Sequence, residues 1–266
     1  LDLPGVRPLQ TPAAALATLG DLRGMVGVDA TASDNTTPAL LSALEAGGCV
    51  VLSNKRPLTA SWAQFQALTA TRRLRHEATV GAGLPVISTL ISLLDTGDEV
   101  TGMLGCFSGT LGFICSALNR GQPYSRAVIQ AMEAGYAEPD PRDDLCGLDV
   151  ARKALILSRL CGRPLELADL QIKPMIPASL EGLSREEFLR RLPEADAEMA
   201  GLVADAARRG RVLAYVADLM GPAPIIGLQA VDASTPVGGL AGADNIILFH
   251  TARYNQTPLV VRGPGA

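Results

Sequence analysis

Between residues 25 and 78 the chain alternates short apolar runs with amphipathic stretches of about ten residues, and this limits the folds open to it. Residues 25–30 read as a buried strand running into the polar Thr31-Ala32-Ser33-Asp34. Residues 38–46 read as a helix closed by Gly47-Gly48, 49–53 as a strand, 61–71 as a helix and 74–78 as a strand. Strands joined by helices of that length imply crossover connections and a parallel sheet. Ligands of such sheets bind beyond the carboxyl ends of the strands. Those ends are Thr31-Ala32-Ser33 and Ser53-Asn54-Lys55.

Gly81 and Gly83 let the chain turn at a domain crossing, and Pro85 suits the first turn of a helix over 86–94. A strand over 100–107 follows, then Ser108-Gly109-Thr110, helices to 118 and over 125–134, and a helix carrying Asp149 and Lys153. Polar helices fill 184–209, with a loop at Arg191-Leu192-Pro193. Strands over 212–217, 225–231, 246–250 and 259–262 suggest a separate, partly antiparallel sheet, whose tip either pairs with another subunit or is an ordinary covered edge. The expected class is α/β: a Rossmann-like parallel-sheet domain plus an α+β domain with a mixed sheet.

The apolar fraction of 48% and a slightly positive mean hydropathy favour a packed globular protein over a disordered one. A net charge of −4 leaves no basic footprint, so nucleic acid is not expected as a partner. The longest apolar run, 100–114, is broken by Gly and Ser and is too short to span a membrane. Cys49, Cys106, Cys115, Cys146 and Cys161 include no Cys-x-x-Cys pair and lie mostly in apolar segments. Reduced, mostly buried thiols and a cytoplasmic protein are expected. With His76 and His250 alone, and no Cys/His cluster, a zinc site is not expected. Leu1-Asp2-Leu3-Pro4-Gly5 has neither the charged start nor the apolar core of a signal peptide.

The chemistry concentrates in Gly135-Tyr136-Ala137-Glu138-Pro139-Asp140-Pro141-Arg142-Asp143-Asp144 and the following Gly147-Leu148-Asp149-Val150-Ala151-Arg152-Lys153. Asp149 and Lys153, four apart, share a helical face, while Glu138, Asp143 and Asp144 sit on the loop leading to it. An ammonium ringed by carboxylates suits a zwitterionic substrate and the movement of a proton. The same pattern also describes a solvated acidic turn with one helical ion pair. Glu77 before a glycine-loosened run of carbonyls suits a weakly bound cation, or else an interdomain turn. Lys55 at a strand end and Ser108-Gly109-Thr110 before a helix could face a ligand; an ordinary basic residue and an N-cap are the alternatives.

Taken together and in this order, the segments resemble homoserine dehydrogenase, most closely the dehydrogenase part of bifunctional aspartokinase–homoserine dehydrogenases. The resemblance rests on Ser53-Asn54-Lys55, the run from Thr79 to Ile87, Phe107-Ser108-Gly109-Thr110-Leu111, the long run from Gly135 to Arg159, Tyr254 and the run from Pro258 to Gly265. It implies reversible, nicotinamide-dependent interconversion of L-aspartate 4-semialdehyde and L-homoserine, with NAD or NADP as cofactor. It implies catalytic roles for Lys153 and Lys55 and substrate binding by Glu138, Asp149, Asp144 and Thr110. Thr31, Lys55, Gly135 and Gly265 fall where the dinucleotide is held. Glu77 with the carbonyls of Val80, Ala82 and Leu84 matches a sodium or potassium site of structural character. A homodimer or higher homo-oligomer is implied, as are domains at 1–83 (dinucleotide), 84–258 (substrate and dimerisation) and 259–266 (returning to the first).

A domain of this kind is expected to open with Gly-x-Gly-x-x-Gly, and the family's chains continue past the last glycines into a closing helix. Neither is found between Leu1 and Ala266, so the expectation is a piece of a larger enzyme. Two alternatives stand beside this reading. One is another amino-acid semialdehyde dehydrogenase of the same plan; the other is a non-catalytic amino-acid-binding module with no affinity for dinucleotide.

Overall fold

A computed structural model describes residues 23–265; the opening Leu1–Gly5, read above as lacking a signal peptide, lies outside them. The chain divides into two compact units between Thr79 and Val80.

The first unit holds β1 (Val26–Asp29), α1 (Thr37–Glu45), β2 (Cys49–Leu52), α2 (Trp62–Thr69) and β3 (Leu74–Arg75). The strands lie parallel in the order β1-β2-β3, with Val26 opposite Cys49 and Asp29 opposite Leu52. Adjacent parallel strands require crossovers, which α1 and α2 provide. Leu44, Val50, Leu52, Leu58, Phe65 and Leu68 form the core. Ser61 fixes the start of α2, its hydroxyl accepting from the Gln64 N–H at 3.3 Å. The third strand, Leu74–Arg75, is shorter than the 74–78 read from the sequence. The His76 carbonyl accepts both the N–H and the hydroxyl of Thr79, at 3.0 and 2.7 Å, and winds Glu77–Thr79 into a 3₁₀ turn.

His76 itself is buried, its Nδ1 has no hydrogen-bond partner among the described residues, and burial pushes the imidazole down to about 4. An unfolded imidazole titrates near 6.5, so the unfolded chain binds the extra proton between those values. Stability is therefore constant above that range and falls as pH drops from about 6.5 toward 4, by on the order of 3 kcal/mol. Urea midpoints at pH 7.5 and 4.5 check this. The wild type loses more than His76→Gln over the interval, and equal losses would remove His76 as the cause.

The second unit opens with α3 (Val86–Asp95), β4 (Val100–Cys106), α4 (Gly109–Asn119), α5 (Tyr124–Glu133), α6 (Arg142–Leu145) and α7 (Leu148–Leu160). It continues with β5 (Gln171–Ile172), α8 (Arg185–Arg191), α9 (Asp196–Ala207), β6 (Arg211–Asp218), β7 (Ile225–Asp232), β8 (Asp244–Thr251) and β9 (Leu259–Pro264). Its sheet runs β5-β7-β6-β4-β8-β9, with only β5 and β7 parallel, so it is mixed as expected. Cys106, Ala214, Val216, Val237, Ile246 and Leu248 pack one core cluster. Along α7, residues 154–159 are all buried, and Val150 and Ala151 with them, which makes it a central helix.

Three details differ from the sequence reading. The loop at Arg191-Leu192-Pro193 is a 3₁₀ turn, Leu192–Ala195, that joins α8 to α9. Strand β5 carries no apolar alternation and forms by pairing Gln171 and Ile172 with Ile225 and Ile226. Leu259–Pro264, expected to return to the first domain, runs antiparallel along β8 from Phe249–Leu259 to Asp244–Pro264 within the second unit's sheet. Among the described residues no helix is long and apolar enough to cross a membrane. All five cysteines are free; Cys106 and Cys115 are buried, and the other three half-buried.

Candidate active site

In the second unit the end of β4, the start of α4, the 135–147 loop and α7 bring the acidic cluster and its lysine together. Ser108 caps α4, its hydroxyl accepting from the Leu111 N–H at 3.2 Å. One turn in, buried Thr110 donates its hydroxyl to the Tyr136 carbonyl at 2.5 Å and lies 3.1 Å from Asp144 Oδ1. Asp144 Oδ2 accepts the Glu138 N–H at 2.8 Å. One carboxylate thus ties α4 to the loop and fixes the backbone that carries Glu138. Burial raises the Asp144 carboxyl above its ordinary value, and the nearby Glu138 and Asp149 charges push the same way, against the hydrogen bonds it accepts. Glu138 is exposed, as is Gly135, whose φ of 72° turns the chain out of α5.

Arginines hold the same loop from the far side. Arg142 grips Asp140 Oδ2 at 2.5 Å, donates to the Leu183 carbonyl and lies over the Phe188 ring at 5.7 Å. Arg185 Nε donates to the Pro139 carbonyl at 2.9 Å. Asp140 is thereby a structural partner rather than part of the acidic face.

Lys153 is only 14% exposed, and its Nζ donates to the Phe107 carbonyl at 2.6 Å and meets Asp149 Oδ2 at 2.7 Å. The i,i+4 face read from the sequence exists, and the ammonium is directed at the carboxyl end of β4. These two acceptors fix the nitrogen and take two of its three N–H donors, so an incoming oxygen can accept the third. Gly147 sets the start of α7 at φ 74°, and a Cβ there would run into Tyr215 Oη, itself bound to the Lys173 carbonyl at 2.9 Å. Gly147→Ala combines a left-handed backbone with a clash and is expected to cost about 2–4 kcal/mol. Urea denaturation reads this directly, and a loss below about 0.5 kcal/mol would contradict the assigned packing.

In the first unit, Thr31 and Lys55 both lie at the carboxyl edge of the parallel sheet, after β1 and β2. Thr31 is exposed and donates its hydroxyl to Asp29 Oδ1 at 2.8 Å. Lys55 follows the buried Asn54 and caps a 3₁₀ turn over Arg56–Thr59. Glu77 belongs to this unit, whereas Val80, Ala82 and Leu84 belong to the second, where Gly81 and Ala82 take φ of 79° and 52°. Gly265 lies just past β9, close against the side chain of Asn245. Among the described residues no group of three or more His, Cys, Asp or Glu could hold a metal ion.

The sequence reading did not name the Phe107 and Tyr136 carbonyls or Arg185. Side-chain patterns carry no signal for a carbonyl's direction, and Arg185 is 46 residues from the loop it braces.

A family profile described as homoserine dehydrogenase matches residues 85–266, well over half of the chain. The chain belongs to the homoserine dehydrogenase family. A homoserine dehydrogenase of Emericella nidulans is 43% identical over 256 residues, covering 88% of this chain and 70% of its own length. The chloroplastic bifunctional aspartokinase/homoserine dehydrogenase 2 of Zea mays is 42% identical over 247 residues, covering 90% of this chain. The chain spans 27% of that bifunctional protein. Among solved structures, a Candida auris protein of unknown function superimposes with a TM-score of 0.88 at 33% identity, covering 98% of this chain and 76% of its own. The acidic loop and the Lys153 helix both fall inside the segment matched to homoserine dehydrogenase.

Proposed function

We propose that the protein containing this chain interconverts L-aspartate 4-semialdehyde and L-homoserine with a nicotinamide dinucleotide. The observation that carries the reading is the Lys153 ammonium, fixed by Phe107 and Asp149 beside a loop in which the Asp144 carboxylate accepts the backbone N–H of Glu138. One end of that arrangement handles a proton and the other holds a cation, which matches a small molecule with an oxygen at one end and an amine at the other.

The dinucleotide, when bound, supplies and accepts the hydride. Donors and acceptors suited to it are present: the anchored Thr31 hydroxyl and Lys55 at the carboxyl ends of parallel strands support the assignment. Gly135 and Gly265 are assigned to the dinucleotide as well, which is NAD or NADP. Lys153 gives its proton to the carbonyl oxygen as the carbon is reduced, because the alkoxide otherwise formed is far more basic than water. In the reverse direction Lys153 takes the proton from the homoserine hydroxyl. Glu138 and Asp149 hold the substrate ammonium, Asp144 sets the loop, and Thr110 sets Asp144. Lys55 is assigned to the dinucleotide and substrate together. A monovalent cation on the carbonyls of Val80, Ala82 and Leu84, and a homo-oligomeric state, belong to the same proposal; the left-handed turn at Gly81-Ala82 supports the former.

The test is an assay of the full-length protein with homoserine and with 4-hydroxybutyrate, which lacks the amine. Homoserine-dependent reduction of NAD or NADP, at least about 100-fold more efficient than with the amine-free analogue, is expected from loss of a charge-assisted contact. Equal use of both would point to a different semialdehyde or hydroxy-acid substrate. Homoserine binding without any reduction would point to a non-catalytic module.

A further inference from the structure

Asn245, near the start of β8, is a buried amide that the proposed reaction leaves without a role. The residue is 6% exposed, and its Oδ1 is buried with no hydrogen-bond partner among the described residues. An unpaired buried acceptor is costly, so its presence calls for a partner that the folded chain does not supply. Its place in the sheet narrows what that partner is. Cys106 of β4 pairs with Ile246 of β8, so Asn245 stands one position further on, level with Phe107, whose carbonyl takes the Lys153 ammonium. On its other side Asn245 pairs with Gly263 of β9. Opposed residues of an antiparallel pair share a face, and Gly265, two positions on from Gly263, shares it too.

Neither glycine takes a left-handed φ, so the backbone does not demand glycine at either position; space does. A Cβ on Gly263 would lie 2.9 Å from Leu84 Cδ2, and one on Gly265 would run into Asn245 Nδ2. The missing side chain at 265 is what lets the Asn245 amide lie against the last turn. In the proposed reaction the hydride passes between the dinucleotide and the carbon whose oxygen faces Lys153. The nicotinamide ring is therefore the part of the cofactor that comes to this end of β4. We propose that Asn245 binds the nicotinamide, its Oδ1 accepting a hydrogen bond from the carboxamide NH₂ and so fixing how the ring is turned toward the substrate. Phosphate oxygens, which only accept, cannot satisfy Oδ1. The terminal torsion of asparagine is broad, and no hydrogen bond at Oδ1 opposes its rotation, which carries that oxygen to the side of the exposed Gly265. The inference rests on the dinucleotide reading of the site and adds to it a residue and the cofactor group it recognises.

The test is calorimetry of the full-length protein with NAD and NADP and with their 3-acetylpyridine analogues, in which a methyl group replaces the carboxamide NH₂. Wild type is expected to bind the analogue about 5- to 20-fold more weakly than the natural dinucleotide. Asn245→Leu keeps the branched shape without polar atoms. It is expected to weaken binding of the natural dinucleotide by a similar factor and to bind the two forms alike within about twofold. Its melting temperature, recorded alongside, is expected to be unchanged or higher, because a buried unpaired acceptor is gone. If Asn245→Leu fails to fold, Asn245→Ala is measured in its place, and the wild-type comparison needs no variant. Equal binding of natural and analogue dinucleotides by wild type overturns the inference. So does a preference for the carboxamide that survives in a folded Asn245 variant; with a lowered melting temperature, that result assigns Asn245 to bracing the turn. The two readings fail separately. Wild type that discriminates against the analogue through Asn245 but does not oxidise homoserine refutes the proposed reaction alone. Wild type that oxidises homoserine, with discrimination indifferent to Asn245, refutes the role of Asn245 alone.

Discussion

Lys153→Ala is expected to lower kcat for homoserine oxidation by roughly 10²- to 10⁴-fold, the range of a positioned acid–base group, while KM moves less than about threefold. The reason is where the nitrogen stands. Its two fixed partners, the Phe107 carbonyl and Asp149, hold it at the end of β4 and leave it to act on an oxygen rather than to grip an anion. In this reading Lys153 faces the uncharged oxygen of the substrate, and the ammonium and carboxylate lie at the other end of the molecule. Lys153→Arg keeps the positive charge but cannot give up a proton near neutrality, so it should not restore turnover. Because the alanine variant also leaves Asp149 without its counter-charge, thermal unfolding should be measured in parallel. A rise in KM with kcat unchanged would assign Lys153 to binding alone.

Glu138→Leu is expected to act on the other end of the same molecule. Removing a charged partner of the substrate ammonium costs about 1.5–3 kcal/mol, hence a KM for homoserine raised about 10- to 100-fold with kcat changed far less. Glu138 is exposed, so the substitution should be nearly silent in stability. It also keeps the backbone N–H that Asp144 accepts, so the loop holds its path. Solvent screening at an exposed carboxylate favours the lower part of the range. An unchanged KM would take Glu138 out of that role and leave Asp149 and Asp144 to bind the amine.

What could be read from the sequence was the local part. Alternating apolar runs placed β1, β2 and the helices between them, and four-residue spacing placed Asp149 and Lys153 on one face of α7. Both follow from the backbone's own periods. What could not be read was set by partners far along the chain. Strand β5 exists only because β7 pairs with it. The anchors of the site are of the same kind: the Phe107 carbonyl is 46 residues from Lys153, and Tyr136 is 26 from Thr110. The buried hydrogen bond from the Asn54 amide to Asp29 shows the limit from the other side. Asn54 stood out in the sequence beside Lys55, yet its partner 25 residues upstream was invisible to spacing.

The most direct measurement is a crystal structure of the full-length protein with homoserine and an oxidised dinucleotide bound. The homoserine hydroxyl should lie within about 3.2 Å of Lys153 Nζ, with the amine within hydrogen-bond reach of Glu138 or Asp149. Homoserine bound elsewhere, or bound here with its carboxylate rather than its hydroxyl on Lys153, would contradict the assignment of acid and ammonium ends.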